Sequence, residues 1–183
     1  MEICNYSIFH ILREIEACVD KKLYHVALAT ALTLPDICSK LVSDNKNTKN
    51  RYVQWCNTYL VDYLPAINNC FFHKTDWGSI IYQLRCGILH NAENDVEMYS
   101  EKYEYFKEDR FKFYIDDNEK CYTHPMRLYT VENSWDRTTK KKVEIDINIC
   151  YTAFILVQGT LKFIKENQLE EKHFPAIEIH MPY

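Results

Sequence analysis

Two residues in the run Tyr82–Asn91, Arg85 and His90, could together cut a phosphodiester bond. The guanidinium of Arg85 is permanently charged and presents a planar fork of donors that matches a phosphate. The imidazole of His90 changes its protonation near neutral pH, as a general acid or base requires. The pair therefore predicts cleavage without a metal ion, with Arg85 and His90 as catalytic residues. Asn91 could orient the substrate beside them or end the helix.

A structural interpretation of the same two residues stays open. Cations near a helix C-terminus interact favourably with the helix dipole, so Arg85 could be salt-bridged and His90 could cap the last carbonyls. The helical spacing of Ile81, Leu84 and Ile88 predicts that this helix also packs into a core. On an ideal helix five residues turn the chain by ~500°, leaving positions 85 and 90 roughly 140° apart. Convergence on one phosphate then needs a bent arginine side chain or a second copy of the helix.

Composition limits the class of protein. The chain has 183 residues, 47% of them hydrophobic and 26% charged, which is typical of one globular domain with a proper core. The net charge of −4 argues against a protein that coats nucleic acid generally. No apolar run approaches the ~20 residues of a membrane span.

The 8 cysteines are scattered without a Cys-x-x-Cys pair, which argues against a zinc site. Cys70 and His73 are close enough to share a metal, but two ligands do not make a site. We predict no metal and no cofactor. The first residues lack a basic start followed by an apolar run, so no signal peptide is predicted. The cysteines are therefore interpreted as reduced thiols in a cytoplasmic protein.

Apolar residues at helical spacing predict about five helices. Their predicted positions are 6–20, 21–43 with a kink at Pro35, about 49–63, from Gly78 to about 91–94, and a final long helix that begins near Ile149. Asp36 follows the kink and could be an exposed helix cap or a buried partner of Arg85. The aromatic stripe Tyr52, Trp55, Tyr59 and Tyr63 favours a core position over a surface on which bases stack.

The pattern changes after the fourth helix. Alternating residues at 111–115 and 126–131 predict two strands of a small hairpin, within an insertion at about 109–145 between the last two helices. Lys140, Lys141 and Lys142 belong to a basic run that could be a solvated loop or an RNA-backbone contact. The predicted architecture is a mainly α single domain, residues 1–183, consisting of a helical bundle with this β-hairpin insertion.

A helical bundle whose fourth helix carries Arg-x-x-x-x-His resembles the HEPN superfamily (higher eukaryote and prokaryote nucleotide-binding domains). The resemblance covers Arg85 and His90 and, more loosely, the helical order over 6–94 and 146–168. The run Leu34–Cys38, then Trp55, then the motif itself, is similar to a set of small bacterial proteins. One departure is Cys86, where nucleases of the superfamily usually carry a polar residue.

The resemblance implies a metal-independent endoribonuclease, a toxin or an antiviral defence effector that meets an antitoxin or defence partner. It also implies a homodimer in which the two motifs face each other, so that Arg85 of one subunit meets His90 of the other. A catalytically inactive helical module that binds a partner protein or a nucleotide is the alternative. A metal-dependent hydrolase is the weakest class, because no His, Asp or Glu cluster has ligand spacing.

Overall fold

The helices of the chain follow the apolar periodicity of its sequence. A computed structural model describes residues 3–64, 77–91, 110–114, 126–132, 141–170 and 177–180, with side chains described for 7–64, 77–89 and 147–170. Within these ranges the α-helices are α1 (Ile8–Asp20), α2 (Tyr24–Ala31), α3 (Leu34–Val42), α4 (Thr48–Tyr59), α5 (Trp77–Cys86) and α6 (Ile149–Glu166). A π-helical turn, Gly87–Asn91, continues α5. The predicted mainly α class is confirmed.

The second predicted helix is two helices, which corrects the expectation of one helix with a kink. The chain turns at Leu32 and Thr33, and Pro35 lies in the first turn of α3. Proline lacks the N–H that would donate a hydrogen bond to the preceding turn of a continuous helix. In the first turn of a helix the N–H groups have no intrahelical acceptor, so proline is tolerated there. The break thus places Asp36 in the first turn of a new helix, where its charge also suits the helix dipole.

The α2–α3 stretch is one of the most apolar parts of the chain. Although no apolar run of membrane-spanning length is predicted, residues Tyr24–Val42 pass as a candidate span by length and composition, with 19 residues and a mean hydropathy of 1.2. The break at Leu32 divides the stretch, and Leu28, Leu34 and Cys38 are fully buried against the other helices. This is the arrangement of core helices in a bundle.

The core lies where α2, α3 and α4 pack with α6 and where α5 packs on α4. Ile81 and Leu84 of α5 are buried as predicted, whereas Ile88 is only half-buried at the edge of the core. The π-helical turn starts at Gly87, one residue before Ile88, so the spacing of an ideal α-helix no longer applies there.

Gly159 allows α6 to approach α4 closely. A Cβ atom at this position would overlap the Leu60 side chain and lie 3.3 Å from the carbonyl oxygen of Tyr59. Trp55 and Phe163 fill the neighbouring space, with ring centroids 6.3 Å apart. The predicted core role of the α4 aromatic stripe is confirmed for Tyr52 and Trp55, which are 0% and 3% exposed.

The strands form two small sheets. Their bounds are β1 (Ile3–Tyr6), β2 (Arg110–Tyr114), β3 (Met126–Glu132), β4 (Lys141–Asn148) and β5 (Ile177–His180). β1 pairs with β5 in antiparallel register, Ile3 opposite His180. In the other sheet β4 is central, parallel to β2 and antiparallel to β3.

The two strands predicted to form a hairpin are β2 and β3. The hairpin is not confirmed, since β2 and β3 each pair with β4. β4 leads directly into α6 and buries Ile147 in the core, which anchors the central strand. Asn148 ends β4 and caps α6, its side chain accepting a hydrogen bond from the Tyr151 N–H at 3.0 Å. The sheet is therefore tied to the helical core through one strand end.

Candidate functional site

Arg85 and Asp36 form an ion pair between α5 and α3. The Arg85 Nη2 and Nε atoms lie 2.9 and 3.1 Å from the same carboxylate oxygen, Oδ2 of Asp36. The two side chains are 18% and 22% exposed. Of the two interpretations of Asp36, the structure therefore selects the partner of Arg85, and the carboxylate is half-buried rather than fully buried.

Only one of the two carboxylate oxygens of Asp36, Oδ2, contacts Arg85. Its second oxygen, Oδ1, is buried and accepts no hydrogen bond from the part of the chain that the structure describes. Buried acceptors are usually satisfied, because an unmade hydrogen bond costs about 1–3 kcal/mol. A small rotation of the carboxylate would give the two-oxygen fork that arginine prefers. The pair is thus partly engaged and retains an acceptor beside the guanidinium.

Two tyrosines support the guanidinium from the interior. The Arg85 guanidinium carbon lies 6.0 Å from the ring centroid of Tyr82, one helical turn earlier on α5. Tyr52 meets Tyr82 edge to face at 5.3 Å, and its hydroxyl donates to the Leu32 carbonyl at 3.0 Å. Because Tyr52 is fully buried and hydrogen-bonded, it gives the site a rigid floor.

The electrostatics keep Arg85 charged and the phenols neutral. Burial lowers the pKa of Arg85, but the Asp36 carboxylate and the Cys86 side chain outweigh it and raise that pKa overall. Burial is the main cause that raises the pKa of Tyr52 well above its ordinary value, and burial followed by Cys86 raises the pKa of Tyr82. Neither phenol is therefore an acid–base group near neutral pH, and Arg85 is the cation of the site.

The π-helical turn carries His90 and Asn91 on its backbone, and their side chains lie outside the described part of the structure. A π-helix closes its hydrogen bonds over five residues instead of four, so each residue turns the chain through a smaller angle. From residue 85 to residue 90 the separation around the axis falls from the ~140° of an ideal α-helix to roughly 90°. The motif positions are thus closer to one face than their spacing suggested.

The remaining predicted residues are not brought to this site by the described structure. Lys141 and Lys142 belong to β4, opposite Glu132 and Val131 of β3, so these two residues are not in a loop. Lys140 lies outside the described residues, as do Cys70 and His73. Within the described ranges no three His, Cys, Asp or Glu side chains are grouped as metal ligands.

Sequence reasoning missed the π-helical turn and the role of Tyr82. The helical spacing of Tyr82 and Arg85, three residues apart, is the signal that could have placed the ring under the guanidinium. The widened turn has no comparable signal, since α- and π-helical turns accept the same residues. In comparisons with known proteins, no family model, curated protein or solved structure matches this chain.

Proposed function

We propose that the protein is a HEPN-like endoribonuclease that cleaves RNA without a metal ion, with Arg85 and His90 as its catalytic residues. The observation that carries the proposal is the arrangement of Arg85, which Asp36 orients immediately before the π-helical turn that bears His90. π-helical turns are frequently found at functional sites.

Arg85 supplies the phosphate-binding role. Its guanidinium is charged, partly exposed and fixed by Asp36 and the Tyr82 ring, so little side-chain entropy is lost when it contacts a phosphate. In the transition state the same fork stabilises the negative charge that develops on the phosphoryl oxygens. Asp36 acts through Arg85 and is a positioning residue, and Asn91 orients the substrate.

His90 supplies proton transfer. It removes the proton of the ribose 2′-hydroxyl as that oxygen attacks the phosphorus, or it protonates the leaving 5′-oxygen, and each role is worth about 10²–10⁴-fold in rate. The reduced angle between positions 85 and 90 favours both residues acting on one phosphate. A homodimer with His90 near its two-fold axis supplies the other acid or base from the second copy. Lys140, Lys141 and Lys142 contact the RNA backbone, and the insertion at residues 109–145 presents them.

Cleavage of a labelled pool of single-stranded RNA tests the proposal. We expect wild-type protein to cut in the presence of chelator, and His90→Ala to lose activity by about 10²-fold or more. Arg85→Lys should also lose most activity, because it keeps the charge but not the two-point grip on phosphate. Matched controls are His25→Ala on α2 and Arg51→Lys on α4, which should cut like wild type. Equal cleavage by all variants would assign the activity to a contaminant.

A second candidate function is a non-catalytic module that binds a partner protein or a nucleotide. The observation that favours it is the ion pair itself, since Asp36 offsets the charge of Arg85 and reduces its attraction for RNA. Absence of cleavage by folded wild-type protein supports this function over the nuclease. Sedimentation at micromolar concentration tests the dimer separately, and a monomer removes the composite site.

A further inference from the structure

An open groove runs between α1 and α6, away from the Arg85 site. Its volume is about 830 Å³, and the described residues that line it come from these two helices alone. The lining extends from Phe9 to Asp20 on α1 and from Cys150 to Leu161 on α6. Twelve residues of helix are ~17 Å long, so the groove has the length of about three helical turns.

The α6 side of the groove is uncharged and mostly apolar, with Gln158 as its polar side chain. Phe154 and Leu161 are 48% and 43% exposed, although both are large hydrophobic side chains. The Tyr151 and Phe154 rings stack with centroids 5.8 Å apart, which makes a flat aromatic wall. Together with the half-buried Val157, these residues form an exposed apolar surface of the kind that marks an interaction site.

The α1 side of the groove carries charge in a fixed order. Arg13, Glu16 and Asp20 line it at successive helical turns, all three exposed, above a floor that includes the buried Ile15. The side is therefore positive near its start and negative over its second half. The C-terminal end of the α1 dipole adds to the negative half.

We infer that this groove binds an amphipathic helix of a partner protein. The helix would span about three turns and place apolar residues at i, i+3, i+4 and i+7 against the floor and the α6 wall. Its other flank would carry two basic residues one turn apart, facing Glu16 and Asp20, and an acidic residue facing Arg13. Because the α1 side of the groove is charged and the α6 side is not, the groove matches an amphipathic helix better than a uniformly apolar segment. The inference is independent of the proposed nuclease function.

Fluorescence anisotropy with a synthetic probe tests the inference. The probe is a labelled peptide of about fourteen residues with leucine at the four apolar positions and lysines on one flank, and its matched control carries glutamates in place of the lysines. We expect the lysine peptide to bind wild-type protein roughly tenfold more tightly than the glutamate peptide at low salt. The double variant Glu16→Lys, Asp20→Lys should reverse this preference.

Two further variants keep the test decisive. Phe154→Asp and Leu161→Asp change exposed side chains, so the fold should persist by circular dichroism while both peptides lose affinity. Equal binding of the two peptides, or no binding to folded wild type, would overturn the inference. If wild-type protein sedimented as a dimer and Phe154→Asp as a monomer, the groove would instead be the binding site of a second copy of the chain. Binding by folded Phe154→Asp and Leu161→Asp that equals wild type would place the peptide elsewhere.

Discussion

Two ion pairs join distant parts of the chain and differ in their surroundings rather than in their length. Arg85 and Asp36 link α5 to α3 at 2.9 Å, and both side chains are at least three-quarters covered. Lys162 of α6 meets Asp62, in the turn after α4, at 2.7 Å, but Asp62 is 63% exposed. The shorter pair is therefore the one that water screens more strongly. The length of an ion pair does not show how much free energy it contributes.

The two ion pairs also differ in the packing around them, where the helices that they join come into contact. Beneath Lys162, the Tyr59 and Phe163 rings pack edge to face at 5.2 Å and Gly159 lets the backbones approach. The α4–α6 contact is therefore held by apolar packing, which does not need the surface pair. The Arg85–Asp36 pair joins α3 and α5 directly, beside the Tyr82 ring, while both helices pack on α4.

The largest expected effect is that of Asp36→Ala. Removing the carboxylate leaves the Arg85 guanidinium partly desolvated without that partner, so we expect the free energy of unfolding to fall by about 1–3 kcal/mol. Urea denaturation measures the change. The double variant Asp36→Ala, Arg85→Met should recover part of the loss, because methionine keeps the apolar stem without the charge.

The same cycle separates the ion pair from the helix dipole. Asp36→Ala made in the Arg85→Met background reports only the contribution of an acidic residue in the first turn of α3, about 0.3–1 kcal/mol. If Asp36→Ala costs the same free energy in both backgrounds, the pair contributes nothing and the comparison with Lys162 and Asp62 fails.

Much of the fold could be predicted from the sequence because helical periodicity depends on neighbouring residues. Ile81 and Leu84 of α5 and Tyr52 and Trp55 of α4 are buried where the helical spacing predicts. Pro35 predicts an interruption of the helix, but whether it kinks one helix or begins a new one depends on how Leu32 and Leu34 pack in the core. Strand pairing is harder to predict, since β2 pairs with β4 across the 26 residues from 115 to 140.

The candidate site was predictable in part for the same reason. Asp36 and Arg85 lie 49 residues apart, and their types alone named them as potential partners. The residue types could not fix the half-buried geometry, because exposure depends on the packing of α3 and α5 on α4. The sequence does not predict the π-helical turn Gly87–Asn91, since the choice between hydrogen bonds over four or five residues has no signature in the apolar spacing.

A smaller effect is expected from Cys38, two residues from Asp36 on the same helix. Burial raises the pKa of the Cys38 thiol to about 12, although its hydrogen bond with Thr160 of α6 acts in the opposite direction. Asp36 forms an ion pair with Arg85, whereas burial keeps the Cys38 thiol neutral. Below the unfolded value of 9.0 the thiol is neutral in both states. Above that value only the unfolded state ionises, until the pH approaches 12.

The free energy of unfolding should therefore fall as the pH rises above about 9. It should fall less steeply for Cys38→Ala than for wild type. Between about pH 8 and pH 10 the difference should reach about 1 kcal/mol, since one proton is worth 1.36 kcal/mol per pH unit. Urea midpoints at several pH values measure the slope. Ile81→Val is the control, because it removes a methylene without a titrating group and should lower every midpoint equally. Identical slopes for wild type and Cys38→Ala would contradict the burial of this thiol.

The smallest expected effect belongs to the surface pair of Lys162 and Asp62. The Lys162 ammonium donates a hydrogen bond to Asp62 Oδ2 at 2.7 Å, which raises the pKa of the lysine. Water screens both charges, however, and holding two flexible side chains in one geometry costs entropy that offsets the attraction. Lys162→Gln and Asp62→Asn should each leave the urea midpoint within measurement scatter of wild type, at low salt and at high salt. Lys165→Gln, one turn later on α6, is the matched control. If Asp62→Asn destabilised the protein as much as Asp36→Ala, then solvent exposure would not be what distinguishes the two pairs, and the short contact distance would have to be taken as the better guide.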